Sequence, residues 1–187
     1  GELRSFIRTV RGWPDAEIRD AVLLLLYTGH RKGNLLGMRW SDLDLRHRHW
    51  TIPPSSSKSG RQLVVPLVAE VVEIVQRRRS VSVDRVLTIS TNRFRGQWEK
   101  LLKACEIKRR LTPHDLWRTI ATWMRAQGSD FALVGDALGH ANPSVTSVYA
   151  LPVVDLVRGA LERAVRHMLD VADAEEGKVV EFPAVSR

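Results

Sequence analysis

The alternation of apolar and polar positions along the 187 residues of the chain predicts a buried helix followed by a tight corner. The segment PDAEIRDAVLLLLYTGHRKG (14–33) has a helix start at Pro14 or Asp15, an apolar body, and Gly29 as a typical C-cap. The corner therefore spans 28–33, and a second short helix is predicted over 32–39.

One hairpin is predicted further along the chain. HWTIPP (49–54) and RQLVVPL (61–67) are short β-branched runs, and SSSKSG between them is typical of a turn. Lys58 then lies at the tip of the hairpin. WSDLDL (40–45) is predicted as a turn, and RVLTI (85–89) as a short extended segment.

The remaining apolar spacing is helical. It predicts helices over 67–79, 92–107, 113–127, 130–138 and 153–173, and a short helix capped by Asn142 that reaches Tyr149. The predicted core face of the 113–127 helix comprises Leu116, Ile120, Trp123, Met124 and Gln127. The three arginines at 77–79 are predicted to be a helix end in solvent. The whole pattern indicates a mainly α protein with a small antiparallel β-sheet, in the α+β class.

Composition indicates one domain with a basic surface. The chain has 29 Lys+Arg against 21 Asp+Glu, which gives a net charge of +8. The planar guanidinium of arginine makes paired hydrogen bonds to phosphate, and a basic surface gains from the release of counterions on DNA or RNA. The charge therefore favours a nucleic-acid partner, although many basic domains bind nothing.

The sequence also favours a location in the cytoplasm. The apolar run AVLLLLY (21–27) is far shorter than the roughly 20 residues of a membrane span, and no signal peptide is visible. The lone Cys105 excludes an intramolecular disulfide and a cysteine-based zinc cluster, which fits a reducing compartment. We therefore expect a cytoplasmic protein without a membrane partner.

Four separated motifs carry the candidate chemistry. They are TGHR (28–31), Lys58 in its Ser/Gly-rich turn, HDLWR (114–118), and LGH (138–140) followed by VY (148–149). In this order, and with the spacer MRWSDLDL (38–45), they resemble the catalytic domain of the tyrosine recombinases, the phage integrase family. The resemblance covers roughly residues 10 to 155 and implies the fold of that domain.

The resemblance gives a role to five residues. Arg31 matches the first catalytic arginine of the family, Lys58 its hairpin lysine, and His114 its first histidine. His140 matches the histidine or tryptophan of L-G-H, and Tyr149 matches the nucleophile. Family members cleave DNA by attack of the tyrosine oxygen on a phosphodiester, which gives a 3′-phosphotyrosyl link and a free 5′ hydroxyl. They use no metal and no nucleotide cofactor, and we expect neither here.

These residue types suit that chemistry. Negative charge develops on the non-bridging oxygens of the phosphodiester in the transition state, and Arg31 would stabilise it. A phenol has an ordinary pKa of about 10, so Tyr149 needs a proton acceptor at neutral pH, a role that suits His114. Lys58 would protonate the leaving 5′ oxygen, and His140 would donate a hydrogen bond to a phosphate oxygen.

Each of these residues has a structural interpretation when it is taken alone. Arg31 would complement the dipole of the preceding helix, and Lys58 would be a solvated charge. His140 would be a cation at a helix C-terminus, and Tyr149 a half-buried aromatic side chain. It is the four motifs in this order that favour the catalytic interpretation.

The third motif departs from the family pattern. The family has H-x-x-R, whereas this chain has HDLWRT (114–119), so Trp117 stands in place of the second catalytic arginine. Arg118 starts about 100° further round the helix, and its long side chain would only partly reach back as a substitute. Loss of one transition-state donor costs on the order of 3 kcal/mol, so we expect a weakened or inactive site. Asn34, where the family usually has an acid, is a milder departure.

Two interpretations of Trp117 are open from the sequence. Positions 113, 117, 120 and 124 share one helix face, so the indole would pack at the edge of the core. Alternatively, the indole fills the phosphate site and prevents productive docking of DNA. We favour the second interpretation.

The resemblance also implies a domain organisation and partners. Residues 1–175 would be the catalytic domain, and 176–187 a C-terminal tail that pairs within its own chain or with a neighbour. Family members carry a helical core-binding domain before the catalytic domain, and we expect that domain to be absent from this chain.

The implied partners are double-stranded DNA and further copies of the protein. The protein would be a tetramer on DNA, and the isolated domain would be a monomer. The DNA phosphate would be bound by Arg31, Lys58, Arg118 and His140. The implied setting is the nucleoid of a bacterium, for a bacterial or phage-encoded protein.

Two functions compete on this evidence. The first is site-specific DNA recombination of the integrase type, weakened by Trp117. The second is a DNA-binding module or regulator that has lost catalysis, which predicts no covalent adduct with DNA. DNA relaxation of the type IB topoisomerase kind is a weaker third hypothesis, because the tail that docks on a partner argues against it.

Overall fold

Helices dominate the fold, and three short strands form one sheet. This computed structural model describes residues 2–57, 60–139 and 151–174, with only the backbone for 151 and 152. Its helices are α1 Glu2–Arg11, α2 Ala16–Thr28, α3 Lys32–Leu36, α4 Ala69–Arg77, α5 Thr91–Ala104, α6 Asp115–Ala126, α7 Phe131–Ala137 and α8 Leu151–Asp173. Its strands, β1 Leu43–Asp44, β2 His49–Ile52 and β3 Leu63–Pro66, pair in the order β1-β2-β3. The predicted class, mainly α with a small antiparallel sheet, is confirmed.

Helix α2 is the centre of the core and has the ends that the sequence predicts. The Asp15 carboxylate accepts hydrogen bonds from the amides of Glu17 and Ile18, at 3.1 and 3.2 Å. At the other end, Gly29 adopts a left-handed conformation with φ 65° and donates its amide to the carbonyl of Leu25. Every residue from 20 to 28 is buried, and α2 packs against α3, α4, α6 and α8.

The predicted hairpin is confirmed. Strands β2 and β3 are antiparallel, with His49 opposite Pro66 and Ile52 opposite Leu63. Trp50, between them on β2, is buried in the core. The hairpin is thus anchored in the core through Trp50, while Lys58 lies outside the described residues.

One predicted helix was wrong in extent because its last residues pair with another segment. The helix predicted over 32–39 ends at Leu36. The next residues are extended instead, with the Val86 amide donating to Met38 O and the Trp40 amide to Asp84 O. The extended segment predicted over 85–89 makes only one isolated bridge, from Arg85 to Arg39, and is not a strand of the sheet.

The predicted turn over 40–45 was also wrong. It consists of a 3-10 helix, Trp40–Asp42, followed by β1. Leu43 and Asp44 become a strand because they lie opposite Trp50 and His49 on β2, and local sequence does not show such a pairing.

Helix α1 was not predicted, although it is part of the core. Its buried residues are Phe6, Ile7 and Val10. Arg4 Nε donates to the carbonyl of Val171 at 3.0 Å, and Arg8 Nε donates to that of Ala172 at 2.8 Å. The last carbonyls of a helix have no partner within their own helix, so α1 satisfies the C-terminal end of α8.

Helix α6 places its predicted apolar face only partly in the core. Leu116, Ile120 and Met124 are buried, but Trp123 and Gln127 are half-buried. Both lie at the flank of the buried face, where Trp123 packs against the imidazole of His167 on α8, with ring centroids 5.1 Å apart.

An inward-facing arginine contradicts the prediction that the residues at 77–79 lie in solvent. Arg78 is 4% exposed, and its Nη2 donates to Glu17 Oε1 at 3.0 Å. Arg77 Nη2 donates to Asp20 Oδ1 at 2.5 Å. Because Asp20 is itself buried and a buried carboxylate needs a cationic partner, two of the three arginines bind α2 rather than project into water.

Replacing Glu17 with glutamine is expected to lower the free energy of unfolding by about 1–2 kcal/mol. Glu17 Oε1 accepts hydrogen bonds from the amide and the hydroxyl of Thr88, at 2.6 and 2.8 Å, and from the amide of Ile89 at 3.1 Å. A neutral amide loses the charge that strengthens these bonds and that faces Arg78. Urea unfolding measures the change, with Glu73→Gln on the exposed side of α4 as the control. Equal free energies of unfolding for the two variants would contradict the role of Glu17.

Candidate active site

Arg31 lies at a corner that is held by hydrogen bonds of the Thr28 hydroxyl. Thr28 Oγ1 donates to the carbonyl of Leu24 at 2.7 Å, and the amide of His30 donates to Thr28 Oγ1 at 3.3 Å. Arg31 follows in an extended conformation, with φ −66° and ψ 139°, directly before α3. Its side chain is exposed, and within the described ranges no hydrogen bond or ion pair holds it. The guanidinium is therefore presented to solvent.

Gly29 allows the Arg31 corner to approach two other helices closely. A Cβ atom on this residue would lie 2.4 Å from Leu138 Cδ2 and 2.6 Å from Ile120 Cγ2. Ile120 belongs to α6, which begins directly after His114, and Leu138 follows α7. The corner, α6 and the end of α7 thus meet where only glycine fits.

Gly139 makes a second close contact of this kind. It adopts φ 67°, and a Cβ atom on it would lie 2.9 Å from Leu63 Cδ1 on β3 and 3.8 Å from Nε2 of His30. The turn that precedes His140 is therefore packed against both the corner and the hairpin. The structure brings together four segments that precede or follow predicted catalytic residues.

Asp115, the first residue of α6, binds the threonine that precedes the helix. Its Oδ2 accepts hydrogen bonds from the hydroxyl and the amide of Thr112, at 2.7 and 2.8 Å. These two bonds, together with the nearby Arg118 cation, hold the pKa of the Asp115 carboxyl below its ordinary value. His114 lies immediately before the helix and is exposed.

Trp117 stacks on the predicted proton acceptor. Its indole is half-buried, packs against the core, and lies nearly parallel to the imidazole of His114, with ring centroids 5.7 Å apart and an angle of 10°. The contact with the core agrees with the first interpretation from the sequence. The stacking on His114 means that the same indole also occupies the surface beside that histidine.

Arg118 is directed to a different partner. Its Nη1 donates to Asp115 Oδ1 at 3.3 Å, and its side chain is 71% exposed. The guanidinium is thus paired along the helix surface with a carboxylate that also binds Thr112. The Arg118 guanidinium therefore does not occupy the place that the side chain of an arginine at position 117 would take.

Three predicted site residues, Lys58, His140 and Tyr149, lie outside the described residues. The chain has only two tyrosines, and the other one, Tyr27, is buried in α2 at 3% exposure. Burial raises the pKa of Tyr27 above its ordinary value, so its phenol is neither accessible nor easily ionised. In the part of the chain that the structure describes, no cluster of His, Cys, Asp or Glu could hold a metal ion, and no helix there is long and apolar enough to cross a membrane.

The model of the phage integrase family matches residues 2–152. The match covers most of the chain and includes the Arg31 corner, the hairpin, α6 and the turn at Gly139. The chain belongs to the phage integrase family.

Curated members of the family are similar over most of this chain. The tyrosine recombinase XerA of Pyrococcus furiosus is 28% identical, over 87% of this chain and 59% of the relative. A tyrosine recombinase of Pseudothermotoga lettingae is 31% identical, over 73% of this chain and 50% of the relative. The chain therefore spans between half and three fifths of these relatives.

Solved structures of family members have the same fold. A crystal structure of XerA recombinase matches with a TM-score of 0.60 at 21% identity, over 93% of this chain and 62% of that one. A lambda integrase tetramer bound to a Holliday junction matches with a TM-score of 0.59 at 19% identity, over 79% of this chain and 47% of that one. The tyrosine recombinase catalytic-domain fold predicted from the motifs is thereby confirmed.

One buried side chain beside Arg31 was not predicted from the sequence. His30, directly before Arg31, is a buried polar side chain at 7% exposure. Its Nδ1 lies 2.8 Å from the carbonyl of Thr28. A histidine beside the motif arginine, after a buried helix, was the available signal.

The stability of this integrase-family chain is expected to fall as the pH drops from about 6.5 towards 4. Burial, and to a smaller extent the Arg31 charge, lowers the pKa of His30 to about 4. In this window the unfolded chain binds a proton that the folded chain does not, so acid favours unfolding. Urea unfolding at pH 7 and pH 4.5 should show a smaller loss for His30→Asn than for the parent. Equal losses would show that His30 titrates alike in both states.

Proposed function

We propose that the chain is the catalytic part, residues 1–175, of a site-specific DNA recombinase of the integrase type. Its substrate is double-stranded DNA, and it works as a tetramer on DNA and is a monomer as an isolated domain. Residues 176–187 form a tail that pairs within the chain or with a neighbouring copy, and a core-binding domain outside this chain completes the grip on DNA. The site of action is the bacterial nucleoid in the cytoplasm.

One observation carries this proposal. The exposed Arg31 lies on a corner that contacts both the helix after His114 and the turn before His140. Packing of this kind brings the motif segments of the family together on one surface, although they are far apart in the sequence. The net charge of +8 supports a DNA partner for that surface.

The proposed reaction uses the residues that match the motifs of the family. The phenol oxygen of Tyr149 attacks the phosphorus of a phosphodiester, and the bond from phosphorus to the 5′ oxygen breaks. His114 accepts the phenol proton, and Lys58 gives a proton to the leaving oxygen. Arg31 and His140 bind the non-bridging oxygens as charge develops on them. Because the 3′-phosphotyrosyl bond conserves the energy of the broken bond, the strand is rejoined without ATP.

The buried Tyr27 supports the choice of nucleophile. Tyr27 and Tyr149 are the two tyrosines of the chain, and the first is enclosed by core side chains. Tyr149 is therefore the one tyrosine of these 187 residues that the proposed reaction can use as its nucleophile.

The test is covalent attachment to DNA. The protein, in the full length that its gene encodes, is incubated with nicked duplexes that tile the DNA flanking the gene. A nick near the cleavage point releases a short fragment and traps the intermediate. The sequence as it stands is expected to form a slow protein–DNA adduct, and Tyr149→Phe none. An adduct of equal yield in Tyr149→Phe would overturn the proposed reaction.

A second function, a DNA-binding module without catalysis, is favoured by the geometry at α6. Trp117 stacks on His114, and Arg118 is paired with Asp115. Neither side chain therefore takes the role of the second catalytic arginine. This alternative predicts that the same DNA is bound and retarded in a gel while no adduct forms, even after long incubation.

A further inference from the structure

We propose that His30 is a positioning residue, which fixes the backbone of Arg31 against strand β2 and the turn at Gly139. The inference rests on the function proposed above, because it concerns how the first catalytic arginine is held. His30 does not touch DNA in this scheme and acts only through Arg31.

The first contact of His30 joins it to the end of α2. Its Nδ1 lies 2.8 Å from the carbonyl oxygen of Thr28. A carbonyl oxygen can only accept, so Nδ1 carries the proton and Nε2 is the unprotonated nitrogen. The amide of His30 also donates to Thr28 Oγ1 at 3.3 Å. Side chain and backbone of His30 thus bind the same threonine, which closes the corner.

The other contacts place the imidazole between two elements. On one side it meets Trp50 of β2 edge to face, with ring centroids 5.7 Å apart and an angle of 62°. On the other side its Nε2 lies 3.8 Å from where a Cβ of Gly139 would be. The ring is 7% exposed and Trp50 is 2% exposed, so the imidazole fills a closed space.

Arg31 has no comparable support of its own. Within the described part of the chain, no side chain or carbonyl accepts a hydrogen bond from its guanidinium, and the side chain is exposed. The direction in which Arg31 leaves the corner is therefore set by its backbone, and that backbone follows directly from His30. A displacement of about 1 Å in a group that binds the transition state can cost a large factor in rate.

The hydrogen bond, more than the bulk of the ring, makes His30 specific. A leucine would fill a similar space but would leave the buried carbonyl of Thr28 without its partner. An asparagine has a side-chain amide nitrogen at the position of Nδ1 and can donate the same bond. The pair His30→Leu and His30→Asn therefore separates the hydrogen bond from the volume.

The first arm of the experiment measures cleavage in the full-length protein with Trp117→Arg, where the adduct forms fastest. At saturating nicked DNA, His30→Leu is expected to slow adduct formation about tenfold, while the Kd for the same DNA stays within about twofold. His30→Asn is expected to recover most of the rate. Equal rates for all three proteins, or equal losses in both variants, would overturn the inference.

The second arm distinguishes this inference from the proposed function. In ¹H–¹⁵N spectra of the 187-residue chain, His30 is expected to show a proton on Nδ1. The amide and Nε signals of Arg31 should shift in His30→Leu and return in His30→Asn. Absence of any adduct in the Trp117→Arg protein would defeat the recombinase proposal, whereas unshifted Arg31 signals would defeat the role of His30 whatever the adduct shows.

Discussion

Replacing Trp117 with arginine is expected to raise the rate of covalent DNA attachment about a hundredfold or more. The indole has one N–H donor and no charge, whereas a guanidinium at this position would bind a non-bridging oxygen where negative charge develops. Arg118 does not supply this interaction, because it is paired with Asp115 on the helix surface. Rates of adduct formation on the same nicked duplex, measured at saturating protein, give the ratio directly.

A second substitution separates the missing charge from the bulk of the indole. Trp117→Ala removes the ring that stacks on His114 and adds no cation. If lost charge is the main defect, Trp117→Ala will cleave as slowly as the parent and bind DNA with the same Kd. If the ring obstructs docking, Trp117→Ala will bind DNA more tightly than the parent. A Trp117→Arg protein no faster than the parent would mean that another cation already serves the phosphate.

Replacing Gly29 with alanine is expected to lower the free energy of unfolding by about 2–4 kcal/mol. Part of this is the strain of an L side chain at φ 65°. The rest comes from the new methyl group, which would lie 2.4 Å from Leu138 Cδ2 and 2.6 Å from Ile120 Cγ2. Ile120 is fully buried and cannot move away without disturbing α6. Urea or thermal unfolding of the variant and the parent measures the difference.

Gly128 provides the matched control. It also follows a helix, α6, and adopts a positive φ of 83°, but a Cβ on it would meet no atom within 4 Å. Gly128→Ala therefore carries only the backbone strain, about 1 kcal/mol. Similar losses in both variants would show that the Arg31 corner has room to relax, against the close packing described here.

Much of the fold could be predicted because capping residues and β-branched runs in the local sequence indicate its elements. Asp15 and Gly29 are strong capping residues, and they bound α2 as expected. The hairpin strands are β-branched on both sides of a turn-forming segment. In contrast, β1 forms because it lies opposite β2, and the helix predicted over 32–39 ends early because 38–40 pairs with 84–86. These features depend on tertiary contacts that no local pattern contains.

Helix α1 is a different kind of omission. Its apolar residues, at 3, 6, 7 and 10, have helical spacing with polar residues between them, so the local sequence does contain an amphipathic pattern. Arg4 and Arg8 bind the carbonyls at the end of α8. Their partners lie more than a hundred residues away in sequence, so the helix gains its support from a contact that the segment alone does not reveal.

The candidate site divides in the same way. The motif order predicts that Arg31 and His114 belong to the site and that Trp117 stands in place of an arginine. The motif does not contain the orientation of the side chains. The sequence cannot show that the indole stacks on His114, or that Arg118 is held by Asp115. The contacts of His30 are likewise invisible, since Trp50 and Gly139 reach it from distant parts of the chain.

The most direct test of the central claim, that this chain cleaves DNA as a tyrosine recombinase, is to map the residue bound to DNA. Adduct from the Trp117→Arg protein is digested with nuclease and trypsin and sequenced by mass spectrometry. Trypsin cuts after Arg125 and Arg158, so Tyr149 lies on the peptide 126–158, apart from Tyr27. The account predicts a 3′-linked nucleotide phosphate on Tyr149 of that peptide. A nucleotide on any other residue, or a link through a 5′ phosphate, would contradict it.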